Sequence, residues 1–132
     1  RVFESSEIDW IYADIFEAQI DKMFDVIVIS AALQYFKDPS KLLKRLFSLL
    51  HENGEVIIMD TFFYRPSEKD IARERSHTYY HSMDADFMMD HYHHHTLIEL
   101  IPFSYLYVYK PKWSPLRKFN MASPFPIISL KK

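Results

Sequence analysis

Glycine is nearly missing from this sequence and cysteine is missing altogether: the 132 residues hold one glycine, Gly54, and no cysteine. Average proteins carry roughly 7% glycine. Every fold that cradles phosphate on a glycine-rich turn needs several, so a P-loop or a G-x-G-x-x-G turn is excluded within these residues. The absence of cysteine excludes disulfides and thiolate metal sites, and says little about compartment. Excess charge of one sign is absent too. Sixteen Lys and Arg stand against 18 Asp and Glu, a net charge of −2, so no global field recruits nucleic acid or an anionic membrane. No apolar run approaches the roughly 20 residues of a membrane span. The opening "RVFESSE" has no apolar signal-peptide core. We expect a cytoplasmic chain with neither a membrane nor a nucleic-acid partner.

What is present is apolar and aromatic. The hydrophobic share is 48% and the aromatic share 17%, with 9 Tyr and 11 Phe. That is enough for one packed core, and the length fits one domain or part of one.

The stretch "FDVIVISAALQYFKDPSKLL", Phe24 to Leu43, carries the clearest pattern. Asp25 to Ser30 is β-branched and apolar on both faces, which predicts a strand covered on two sides in a parallel sheet. Asp38-Pro39 predicts a helix start: Asp38 caps free N–H groups and Pro39 suits the first helical position. Leu42, Leu43, Leu46, Leu49 and Leu50 follow one stripe, with Lys41, Lys44 and Arg45 facing away. "ENG" is expected to end that helix, with Gly54 left-handed just past it. "EVIIMDTFFY", Glu55 to Tyr64, reads as a second buried strand. Strand, helix, strand makes a right-handed βαβ unit.

The flanks are less regular. "IDWIYADI", Ile8 to Ile15, reads as a short strand. Ser67 to Ser76 reads as an exposed charged helix, and Met83 to Leu100 is helical in composition. "FSYLYVYK" alternates Tyr105, Tyr107 and Tyr109 with Leu106 and Val108, as one strand, and "PFPIISLKK" gives another. The linker from Pro111 to Pro124 is long enough to join them as an antiparallel pair.

"ADI" followed by "FDVIVISAALQYFKDPSKLLKRLFSLLHENGEVIIMD" resembles the middle of a class I S-adenosylmethionine-dependent methyltransferase. The match runs from about Ile8 to Tyr64: a strand ending in an acid, an "fDvvv" strand, a small-residue turn with an aromatic, a "dp…ll" helix, and a turn into the next strand. The resemblance implies an α/β fold, a partial Rossmann-like sheet closed by a C-terminal antiparallel hairpin. Residues 8–64 would be the family core, 65–102 a variable helical substrate region, and 103–132 the hairpin. The family's glycine-rich loop after its first strand, and the acid ending its second, are both missing here. The chain therefore reads as the C-terminal portion of a single incomplete domain, beginning at Arg1 rather than Met. In the family order 3-2-1-4-5-7-6, strands one and two separate the third from the fourth. Ile8 to Ala13 is then expected to pair with Val26 to Ile29 or to stay unpaired.

The resemblance also implies a site. S-adenosyl-L-methionine would bind the complete domain. Asp14 would accept from the adenine amino group and Ile15 would cover the ring; alternatively Asp14 caps the turn that follows. Ser30, Ala31, Ala32 and Leu33 would line the cofactor at the carboxyl end of a strand, where open α/β sheets bind ligands; a tight turn needs small residues too. Tyr35 would flank the sulfonium with its π face, or Tyr35 and Phe36 are core. Asp60, Thr61 and Tyr64 end the next strand and can reach an acceptor. "HYHHH" places His91 and His95 at i, i+4, where a helix would let them share a metal. No carboxylate or cysteine completes a known metal signature, so no metal is expected; a histidine near the cleft can serve an acceptor substrate as a base, or simply as a polar face. The acceptor is expected to be a small molecule. Two functions follow: part of a methyltransferase, inactive alone without its glycine-rich loop, or a non-catalytic interaction module on a degenerate methyltransferase fold.

Overall fold

A computed structural model describes residues 8–111 and 123–132. Most of the interstrand linker, 112–122, lies outside the described residues.

β1 (Phe24–Ser30) leads through a short turn into α1 (Pro39–Ser48), which is followed at once by β2 (Leu50–Met59). α1 begins as expected: the Asp38 carboxylate accepts from the Lys41 N–H at 3.0 Å, and Pro39 takes the first helical position. Its apolar stripe buries Leu42, Leu43 and Leu46. α2 (Lys69–His81) comes next, then two 3-10 segments, Asp86–Asp90 and Leu97–Phe103. β3 (Leu106–Tyr109) and β4 (Ile127–Lys131) complete the sheet.

The strand order is β1-β2-β4-β3. β1 and β2 are parallel, while β4 runs antiparallel to both β2 and β3. This is the 4-5-7-6 half of the order that the resemblance implies, with the expected hairpin partners. Opposite residues share a face, and on one face they build the core. Ile29 lies opposite Ile58, Ile58 opposite Ile128, and Val56 opposite Leu130. These five residues are buried together with the α1 leucines, Leu33, Leu50 and Leu100. Phe103 meets Phe47 of α1 edge to face at 5.6 Å, and Tyr105 packs against the same core. Of the alternating tyrosines, Tyr105 and Tyr109 are half-buried, while Tyr107, opposite the buried Ile128, is exposed along with Leu106 and Val108.

Several expectations need correction. β1 is buried on one face only, for Val26 and Val28 are 46% and 53% exposed. An edge strand with one covered face gives its other face to water whatever its sequence. Ile8 to Ile15 forms no strand. It is unpaired, one of the two outcomes expected, because β-propensity without a neighbouring strand leaves backbone groups unbonded. α1 stops at Ser48, so Gly54 is no helix cap; it lies inside β2 and its φ is not positive. Asn53 takes the left-handed conformation instead, at φ 67°. Gly54 is required by crowding: a Cβ there would stand 3.0 Å from the His51 carbonyl oxygen and 3.1 Å from that of Asp25. It sits where the β1–β2 register shifts, between the pairs Phe24–Leu50 and Val26–Glu55. Finally, 83–100 is not an α-helix. Between its two 3-10 segments the chain runs extended through the histidines.

Among the described residues no helix is long and apolar enough to cross a membrane.

Candidate functional site

The carboxyl ends of β1 and β2 lie side by side, and both end in left-handed backbone on residues other than glycine. Ala31 has φ 49° and Asp60 φ 54°. Such conformations cost about 1 kcal/mol or more per residue and persist only where the surroundings hold them. Here the Ala31 N–H donates to the Met59 carbonyl at 3.1 Å, and the Ser30 hydroxyl donates to the Asp60 carboxylate at 3.0 Å. The two strand ends are thereby tied together. Gln34 folds back so that its amide Nε2 donates to the Ala31 carbonyl at 2.7 Å. Its Oε1 is buried with no partner among the described residues. Tyr35, 49% exposed, closes this rim.

A second strip of chain crosses the same edge. The His93 N–H donates to the Gln34 carbonyl at 2.7 Å, and the Tyr64 N–H donates to the His95 carbonyl at 2.8 Å. Phe63 and His95 form a parallel bridge. These bonds stretch residues 93–95 over the gap beyond β1 and β2, which explains why a histidine run of helical spacing is extended. Tyr92 stands edge to face with Tyr35 at 6.0 Å, so the strip and the rim touch.

The histidines differ sharply. His91 is exposed at the end of a 3-10 segment. His95 is 3% exposed, and its Nδ1 hydrogen-bonds the Glu99 carboxylate at 2.8 Å. Glu99 also accepts from Lys69 and from the Thr96 N–H, each at 3.4 Å. The Nε2 of His95 is buried without a partner among the described residues. His94 is buried too; its Nε2 lies 2.9 Å from the Ser76 hydroxyl of α2 and its ring 5.1 Å from that of Tyr64. His91 and His95 share no helix, and no group of three metal-ligating side chains occurs among the described residues.

Electrostatics follows burial. Burial first, then the Arg73 guanidinium, pushes the His94 imidazole below its usual range, and burial, then His95 and Lys37, does the same to His93. Burial pushes the phenols of Tyr64 and Tyr92 upward, so both stay protonated donors at neutral pH. The sign for stability is definite. The unfolded chain takes up a proton at each histidine near pH 6.5, while the folded chain resists it. That stability is complete above about pH 6.5 and is lost as pH falls through this value toward the lower folded one. The urea midpoint will therefore fall between about pH 7 and 5.5, and fall less in His94→Gln. An identical slope in that variant would remove His94 from the account.

Asp14 sits on a turn of its own. One carboxylate oxygen accepts from the Phe16 N–H at 2.8 Å, and its carbonyl accepts from Glu17 and Ala18. Arg45 of α1 clamps this turn, donating from Nε to the Ile15 carbonyl at 3.0 Å and from a terminal nitrogen to that of Ala18 at 2.7 Å. Ile15 and Phe16 pack against the core. A cleft of 570 Å³ opens beside the turn, lined by Phe16, Phe36, Lys37, Asp38 and Lys41 and not by Asp14 or Ile15.

The structure thus gathers Ser30, Ala31, Tyr35, Tyr64 and His95 along one sheet edge, with Asp14 and Ile15 on a neighbouring turn and His91 apart. Sequence reasoning missed Gln34 Oε1, Tyr92, the Ser76–His94 contact and the His95–Glu99 pair. The last had a local signal. "HTLIE", His95 to Glu99, sets Thr96 and Glu99 in the T-x-x-E spacing of a helix start and His95 four residues before the acid.

Comparison with known proteins gives a consistent result. A family described as a methyltransferase domain matches residues 4–101, well over half of the chain. Among solved structures, the S-adenosylmethionine-dependent methyltransferase SibL in its apo form is 15% identical with a TM-score of 0.54, covering 91% of this chain and 34% of its own. A Nostoc punctiforme protein assigned as an O-methyltransferase is 16% identical with a TM-score of 0.58, covering 92% of this chain and 36% of its own. The plantazolicin methyltransferase BpumL, in complex with a pentazolic desmethylPZN analog and SAH, is 20% identical with a TM-score of 0.52, covering 92% and 58%. The chain spans about a third of the length of the first two. Among curated proteins nothing matches significantly. At these identities the structures speak for the fold alone, and the matched family speaks for descent: the chain belongs to the methyltransferase-domain family.

Proposed function

We propose that this chain forms the cofactor rim and acceptor side of a methyltransferase that uses S-adenosylmethionine to methylate a small acceptor. The observation that carries the reading is the rim itself. Ala31 is small and left-handed, and beside it the buried Gln34 Oε1 has no partner among the described residues. A buried acceptor left unpaired costs stability unless a ligand donor satisfies it. The ammonium of an amino-acid moiety is such a donor, and the half-exposed Tyr35 ring offers a π face to a sulfonium. These residues fit part of the cofactor. Asp14 and Ile15 are the proposed adenine contacts; Ile15 flanks the core, and Asp14 keeps its second carboxylate oxygen beyond the turn bond.

The cofactor brings an already activated methyl group. The protein's work is then alignment, supplied by the fixed strand ends, with Tyr64 and His95 on the acceptor side. The glycine-rich loop that the family uses against the cofactor is missing from these residues, so the chain alone is expected to bind weakly and turn over nothing. The domain is expected to be cytoplasmic.

The test is an amide NMR titration of residues 1–132 with S-adenosylhomocysteine. Shifts confined to the amides of Ser30 to Phe36 and the 14–18 turn, rising only at millimolar ligand, are expected. Micromolar binding would refute the claimed dependence on a missing loop. No shift at 30–36 would favour the interaction module, for which the exposed Val26 and Val28 at the β1 edge already speak.

A further inference from the structure

Beyond the rim, a cavity of about 440 Å³ lies between the β1–α1 turn, α2 and the histidine strip. That volume suits a small organic molecule. Its wall is cationic from separate elements. Lys37 comes from the turn after β1, and Lys69 and Arg73 stand one helical turn apart on α2. Two carboxylates, Asp90 and Glu99, also line it, but Glu99 already serves His95, Lys69 and the Thr96 N–H. Among the described residues Lys37 and Arg73 make no ion pair. A second observation points to a ligand here. His95, 3% exposed, is one of the lining residues, and its Nε2 is unpartnered while its Nδ1 is held by Glu99. A ring that donates Nδ1–H to a carboxylate presents a lone pair at Nε2, which a hydroxyl or amine of a ligand would satisfy. The flat rim of the cavity is Tyr92, whose ring also meets Tyr35 of the cofactor rim at 6.0 Å.

We infer that this cavity receives the methyl acceptor and that the acceptor is a small aromatic acid, its anionic group held by Lys37 and Arg73, a hydroxyl or amine donating to the buried His95, and its ring laid along Tyr92. The inference rests on the methyltransferase reading for the word acceptor, but the binding chemistry stands without it. The depressed imidazoles of His93 and His94 accord with the same local positive field, since Lys37, Lys69 and Arg73 each contribute to them. Lys69 keeps Glu99 in place and belongs to the wall more than to the ligand.

The experiment is an NMR titration of residues 1–132 with benzoate and, in parallel, with its neutral isostere benzamide. Benzoate should shift the amides of 37, 73 and 92–95 and bind about tenfold tighter than benzamide. Its affinity should weaken as salt rises from about 20 to 300 mM. Lys37→Gln and Arg73→Gln, both at exposed positions that leave folding intact, should each weaken benzoate about two- to fivefold and leave benzamide unchanged. Equal binding of acid and amide, no binding of either, or benzoate affinity unaltered in the double variant would overturn the inference. The two readings fail separately: S-adenosylhomocysteine reports at 30–36, benzoate at the cationic wall.

Discussion

Truncating Leu43 to alanine will cost the chain about 2–5 kcal/mol of folding stability, a large share of what a domain of this size has. Leu43 is fully buried on α1, in the one core the described residues build. The sheet is covered there by a single helix and the 97–103 segment, so the cavity left by three lost heavy atoms has only fixed neighbours to collapse onto: Leu42 and Leu46 in the same stripe, and Val56, Ile58, Ile128 and Leu130 on the strands. Close-packed neighbours relax only in part, which is why such cavities cost more than the transfer of the lost methyl groups. The urea midpoint should drop accordingly, and the melting temperature by roughly 10–20 °C. Lys44→Ala, one residue on and exposed, is the matched control and should stay within about 0.5 kcal/mol. Equal effects from the two would mean that the helix does not pack as described.

Replacing Arg45 with methionine should release the 14–18 turn and leave the sheet alone. Met keeps the apolar stem and removes two charged donors, so the carbonyls of Ile15 and Ala18 lose their partners together. Hydrogen bonds from charged groups are worth about 1.5–3 kcal/mol each when removal strands a partner. Water reaches this turn and repairs part of the loss, so a local cost of about 2 kcal/mol is expected, near a thirtyfold change in opening. Hydrogen exchange reads it directly. The Glu17 and Ala18 amides, bonded to the Asp14 carbonyl, should exchange about thirty times faster, while those of Ile57 and Ile58 in β2 hold their rates. Unchanged exchange at Glu17 and Ala18 would show that core packing of Ile15 and Phe16 holds the turn without Arg45. Because Asp14 and Ile15 are the proposed adenine contacts, this variant would also weaken any shift that S-adenosylhomocysteine produces there.

Much of the fold was legible because its signals are local. Asp38 and Pro39 announce the start of α1, its leucine stripe announces the buried face, and the β-branched runs announce β1 and β2. What failed were features decided by partners. Ile8 to Ile15 has the residues of a strand, but a strand is a pairing and no neighbour is present among the described residues. The histidine run has helical spacing, but hydrogen bonds from His93 to Gln34 and between His95 and Tyr64 stretch it, and neither partner is near in sequence. Gly54 follows a leucine stripe as a cap would, but what requires it is crowding by the His51 and Asp25 carbonyls, and Asp25 reaches it only through strand pairing. The candidate site divides in the same way. Ser30, Ala31 and Tyr35 follow a strand end and could be placed from position alone. Ser30 with Asp60, and Ser76 with His94, join elements that the sequence keeps far apart.

The strand order has a consequence for how the chain is made. β4 lies between β2 and β3, yet β3 leaves the ribosome before β4 does. Until β4 emerges, the β1–α1–β2 unit can close from neighbours alone, while β3 waits with both edges open and Leu106 and Val108 bare. Synthesis proceeds at about 5–20 residues per second, so that interval lasts on the order of a second. During it a four-residue strand rich in tyrosine is an open template on the nascent chain, within reach of a chaperone or a second nascent copy.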